Sequence, residues 1–113
     1  MDNFKAIYRI LSAFEKGLDV ENFDLSIVGP DKIGVSSERW RAYIGMLTDS
    51  GYIKGVKISR DILGNYNVDA GRARITLEGL EYLQENSVMR RVMATGSETA
   101  SAVATAALQF TAN

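Results

Sequence analysis

Apolar residues along the first sixteen positions recur at helical spacing: Phe4, Ile7, Tyr8, Leu11 and Phe14 form one stripe. The period predicts a helix over 3–16, with Asn3 as its cap and Gly17 as its stop. Residues 18–30 lose that period. The run FDLSIV alternates and ends at Gly29-Pro30, which predicts a short strand over about 24–28. Pro30 suits the first turn of a brief helix through Ile33, closed by Gly34. The stretch GVSSERWRAYIGMLTDSGY (34–52) then carries Trp40, Tyr43, Ile44 and Leu47 on one face of a longer helix. Ser36 supplies a capping oxygen, Glu38 an anion in the first turn, and Gly51 the stop. Ser37, Glu38, Arg39, Arg41, Ala42 and Gly45 are left facing outward.

After Gly51 the run YIKGVKIS is rich in β-formers, DILGNYNVDAG is dense in turn residues, and RARIT alternates again. The expectation is two antiparallel strands, about 52–59 and 72–76, joined by a long loop, with a bulge at Gly55. Thr76 caps a helix LEGLEYLQE, with Ile75 and Leu80 at the spacing of a hydrophobic staple. Asn86-Ser87 breaks it before a further turn or two through Val88, Met89, Val92 and Met93. From Ala94 onward the chain has no lysine or arginine and many alanines and threonines. Two readings of that tail stand side by side. One is a helix with Ala100, Val103, Ala107 and Phe110 on a shared face, joining two copies of the chain; the other is an unfolded end.

Helix, short strand, short helix, turn, long helix, hairpin, helix is the order of a winged helix-turn-helix. The expected class is α+β: a three-helix core, a two- to three-stranded β-hairpin wing and C-terminal helices. Residues 1–93 make the winged-helix domain and 94–113 the tail. The stretches GVSSERWRAYIGMLTDSGYIKGV (34–56) and RITLEGLEYLQENSVMRRV (74–92) resemble the YjcQ-like family, small winged-helix proteins of Gram-positive bacteria and their phages. That resemblance covers roughly residues 1–93. It implies the fold and a phage or prophage setting, and brings no catalytic residues with it. The run GVS followed by Trp40, Tyr43, Ile44 and Leu47 is also similar, more generically, to the helix-turn-helix of MarR-type regulators.

Composition narrows the chemistry. The chain has 113 residues, 46% of them hydrophobic, which is enough for one core and too few for two. It contains no cysteine and no histidine, so disulfides, thiol nucleophiles and imidazole bases are excluded, and nearly every transition-metal site with them. No apolar run reaches the roughly 20 residues of a spanning helix, and Asp2 and Lys5 interrupt the start where a signal peptide would be apolar. A cytoplasmic protein with no membrane partner is expected. The net charge is -1, but it is unevenly spread. Residues 32–74 carry eight basic against four acidic side chains. Residues 1–31 carry three against six, and 75–113 two against four. The one basic segment coincides with the long helix and the hairpin.

That coincidence points to double-stranded DNA. In a winged helix the long helix enters the major groove, where Arg39 and Arg41 can meet a guanine edge or a phosphate and Ser37 a phosphate oxygen. Lys57, Arg60 and Arg72 on the hairpin are placed for the flanking backbone or minor groove. Glu38 opposes phosphate, and the alternative is a winged helix that engages another protein without DNA. Gly45 on the outward face admits close approach of a partner to the helix backbone, and Tyr66 among turn residues is a candidate ligand contact. The run GPDKIGVS (29–36) has two glycines at phosphate-loop spacing, but Val35 stands where that loop requires lysine, so a nucleotide site is rejected. Glu78, Glu81 and Glu85 read as a solvated helix face. No enzymatic activity, cofactor or metal is expected.

Overall fold

The computed structural model describes residues 2–86 and residue 91. Helix α1 spans Asn3–Lys16. Its cap is Asp2 rather than Asn3: the Asp2 carboxylate accepts from the Phe4 amide at 2.8 Å, so Asn3 lies in the first turn with its side chain released for other bonds. The buried arc of α1 is broader than a stripe and comprises Ala6, Tyr8, Ile10, Leu11 and Phe14. Phe4, one end of the predicted stripe, is exposed. The arc is broad because α1 is covered from several sides, by the helix Leu77–Glu85, the strand Arg74–Ile75 and the 3-10 turns Gly17–Asp19 and Leu25–Val28. At its end the chain tightens into a 3-10 turn over Gly17–Asp19. A Cβ at Gly17 would strike the ring of Phe23, which packs on Phe14 with centroids 4.9 Å apart.

The predicted strand over 24–28 is instead a 3-10 turn, Leu25–Val28. Asp24 caps it by accepting from the Ser26 amide at 2.9 Å and the Ser26 hydroxyl at 2.7 Å. Leu25 and Val28, three residues apart, both turn inward, the period of a 3-10 helix and not of a strand. Helix α2, Pro30–Ile33, follows and ends at Gly34 with φ +83, where the amides of Gly34 and Val35 both return to the Pro30 carbonyl. Helix α3, Ser37–Asp49, starts at Ser36, whose hydroxyl accepts from the Arg39 amide at 3.1 Å. The indole N–H of Trp40 donates to the Val28 carbonyl at 2.7 Å, tying α3 to the turn before α2.

The hairpin differs from two long strands and a loop. It is four short strands in two sheets. β1 (Ile53–Lys54) pairs antiparallel with β4 (Arg74–Ile75), and β2 (Lys57–Arg60) with β3 (Tyr66–Asp69). The ladder breaks at Gly55, whose φ is +83 and whose missing Cβ leaves room for the Arg72 carbonyl. The connecting loop shrinks to Asp61–Asn65, where one Asp61 carboxylate oxygen accepts from the amides of Leu63 (2.9 Å) and Asn65 (2.8 Å).

Helix α4, Leu77–Glu85, opens at Thr76, whose hydroxyl accepts from the Gly79 amide at 3.1 Å. Glu78, Glu81 and Glu85 are exposed along it. The core is one cluster, centred on Ile10, Leu11, Phe14, Ile33, Ile44, Ile53 and Leu83. Trp40, Tyr43, Ile44 and Leu47 all belong to it, as their spacing predicts. The predicted turn through Val88, Met89, Val92 and Met93, the tail helix and the homodimer drawn from it lie outside the described residues. Among the described residues no helix is long and apolar enough to cross a membrane.

Candidate nucleic-acid interface

Arg39 and Arg41 are two residues apart and so stand about 200° apart around the axis of α3, one on each flank of its outward face. On the α1 flank, Arg39 donates from Nη1 to the Asn3 side-chain oxygen at 3.1 Å. The same oxygen accepts from the hydroxyl of Tyr43. Releasing Asn3 from capping thus gives α1 a polar anchor on α3. On the opposite flank, Arg41 lies over the ring of Tyr66, its guanidinium carbon 3.7 Å from the ring centroid. Stacking uses the face of a guanidinium and leaves its N–H edges free to donate. Among the described residues, neither arginine is paired with a carboxylate.

Arg60, opposite Tyr66 in the β2–β3 register, approaches the same ring at 5.2 Å and donates from Nε to the Gly64 carbonyl at 3.2 Å. The structure therefore assembles Arg41, Arg60 and Tyr66 into one cluster joining the helix to the wing. Ser37 is exposed at the start of α3. Lys57, opposite Asp69, lies at the base of the hairpin, three residues from Arg60. Arg72 is exposed beyond the end of β3, where it borders the same open cleft as Lys57. Of the six side chains singled out from the sequence, Arg41 and Arg60 are brought together, Lys57 and Arg72 form a second group, and Arg39 and Ser37 stand apart.

Between the flanking arginines the outward ridge of α3 is Glu38, Ala42, Gly45 and Asp49. Among the described residues, a Cβ at Gly45 would meet nothing within 4 Å, so none of them demands glycine there. The wing tip presents Ile62 and Leu63, 102% and 81% exposed, held outward by the Asp61 turn. Sequence reasoning passed over this tip and the role of Asn3. The pair Ile-Leu between an aspartate and a glycine was the available signal for the tip; the Asn3 contacts span 36 and 40 residues and left no local trace.

A short helix, a turn and a longer helix, followed by a β-hairpin wing over a helical core, define a winged-helix domain of the α+β class. A family model for the YjcQ protein matches residues 8–99, and the chain belongs to that family. No curated protein and no solved structure matches the chain.

Proposed function

We propose that the protein binds double-stranded DNA as a transcriptional regulator of phage or prophage origin, with α3 in the major groove and the β2–β3 wing on the flanking backbone. The observation that carries this reading is the stack of Arg41 on Tyr66. It holds a cation with free donor edges where the helix meets the wing, while Arg39 offers a second cation on the other flank. A groove has two phosphate walls, and flanking cations suit them. The small ridge of Ala42 and Gly45 between them admits the helix close to base edges. Glu38 has a place in this arrangement as an acceptor for a cytosine amino group. Arg60 and Lys57 follow along the wing.

The test is binding to a pool of genomic fragments as a function of salt. The parent protein should bind at low salt with a steep decline, and the Arg39→Ala/Arg41→Ala double variant should bind more weakly with a slope flatter by about 0.9 per lost phosphate contact. Absence of binding by the parent, or equal binding by the variant, rejects the proposal. A second reading, a protein-interaction module, is favoured by the exposed Ile62 and Leu63 at the wing tip. A protein complex seated on that tip would show little salt dependence and would be lost in Ile62→Ser/Leu63→Ser.

A further inference from the structure

A cleft of about 480 Å³ opens where the wing leaves the core, at the end of α1 remote from Asn3 and Arg39. Its apolar wall comes from Phe14, Leu18, Val20 and Phe23. Leu18 and Val20 are 47% and 55% exposed, an apolar pair left facing solvent, one within the 3-10 turn and one just after it. A second wall is cationic and is built by Lys54, Arg72 and Arg74. Lys54 and Arg74 face each other in the β1–β4 register, and Arg72 stands on the connection beside Gly55. None of the three is paired with a carboxylate among the described residues; Glu21 also lines the cleft, which leaves the lining with three cations against one anion.

Two glycines shape the cleft. The Phe23 ring occupies the space of a Gly17 Cβ, and the Arg72 carbonyl that of a Gly55 Cβ, so aromatic wall and cationic wall are both fixed by close approach. A cavity of this size, part apolar and part cationic, can hold a small molecule that matches both characters. We propose that this cleft binds an organic anion, a carboxylate or sulfonate carrying an apolar body, with the head group on Lys54, Arg72 and Arg74 and the body against Leu18, Val20, Phe14 and Phe23. The chemistry follows from the walls. An inorganic anion would leave the apolar side wet, and a neutral apolar compound would strip water from three cations without replacing it. The cleft shares Arg72 with the candidate nucleic-acid interface, but its test uses Lys54 and Arg74 and no nucleic acid.

The probe is 1-anilinonaphthalene-8-sulfonate, followed by fluorescence on the full chain, with decanoate and decanol as competitors. The expected result is saturable enhancement at one site, displaced by decanoate and at least tenfold less effectively by decanol. Lys54→Gln/Arg74→Gln should weaken probe binding tenfold or more. Val20→Asp, a change in an exposed segment outside helix and strand, should do the same should the double variant fail to fold. Ile62→Ser/Leu63→Ser should bind the probe like the parent, separating this cleft from the exposed wing tip. The proposal is overturned if the parent gives no saturable signal, if decanol competes as well as decanoate, or if folded Lys54→Gln/Arg74→Gln or Val20→Asp protein binds the probe like the parent.

Discussion

Arg41 of α3 rests on the ring of Tyr66 in β3, 3.7 Å from guanidinium carbon to ring centroid, and this contact couples α3 to the wing. Tyr66 is 45% exposed, so the ring serves as a platform more than as core. Tyr66→Phe keeps the platform and should bind DNA like the parent. Tyr66→Ala removes it and frees Arg41. An exposed cation–π contact is worth about 0.5–1 kcal/mol, so DNA affinity should fall by a factor of about 2–5 while the thermal midpoint stays close to the parent's. Fragment binding and a melting curve on the three proteins check both halves.

Trp40 joins two stabilising roles, burial and a hydrogen bond across the helix-turn-helix. Trp40→Phe retains most of the apolar volume but leaves the Val28 carbonyl without its donor, an expected cost of about 1–3 kcal/mol. Trp40→Ala adds a cavity and should cost about 3–5 kcal/mol, a large share of the stability of a domain this size. Urea unfolding followed by circular dichroism should show the midpoint falling in that order.

Two glycines make opposite predictions. A Cβ at Gly79 would overlap the Tyr52 carbonyl oxygen and the Ile75 side chain, so Gly79→Ala forces α4 away from β4 and should destabilise the domain. A Cβ at Gly45 meets open space in mid-helix, where alanine is favoured over glycine by about 1 kcal/mol. Gly45→Ala should therefore raise the melting temperature, and Gly45→Leu should impair DNA binding by lifting the helix out of the groove. Unimpaired binding by Gly45→Leu would remove the close-approach argument.

The Asp24 carboxyl is held below the ordinary carboxylate range, first by the Ser26 hydroxyl and then by the Ser26 amide, both of which donate to it. A depressed folded-state pKa means that the ionised form stabilises the fold. The contribution is complete above the unfolded aspartate pKa and disappears as pH falls through the lower, folded value. An NMR titration should place Asp24 below exposed aspartates without such donors, and Ser26→Ala should move it upward. A midpoint for Asp24 unchanged by Ser26→Ala would refute the capping account.

Most caps and the stripe of α3 were legible because they are local, whereas Asp2 and not Asn3 caps α1 and Phe4 of the predicted first stripe is exposed. The burial of Trp40, Tyr43, Ile44 and Leu47, the caps at Ser36 and Thr76, and Pro30 in the first turn of α2 all follow from spacing and from side chains within three or four residues. Residues 24–28 misled because a weak alternation in FDLSIV hides a spacing of three, and the decisive Asp24 bonds belong to a turn. The strand Tyr66–Asp69 escaped notice because its short alternation, Tyr66 and Val68 against Asn67 and Asp69, sits in a run dense in turn residues; all four residues are exposed, and backbone pairing with β2 defines the strand. At the candidate interface, the residue types in the basic segment were readable and their grouping was not. Arg41 meets Tyr66 across 25 positions, and which arginine faces the wing depends on how α3 docks against the hairpin.

The chain contains a single tryptophan, and its indole is bonded to a carbonyl twelve residues earlier. Excited beyond the absorption band of the five tyrosines, the protein therefore emits from one chromophore at one address, the junction of α2 and α3. Emission should be blue-shifted while the indole is dry and bonded, and should move to the red when the junction opens. A titration of nucleic acid or of an organic anion can thus be followed without attaching any label, and the colour of the emitted light distinguishes a ligand that leaves the helix-turn-helix closed from one that pries it apart.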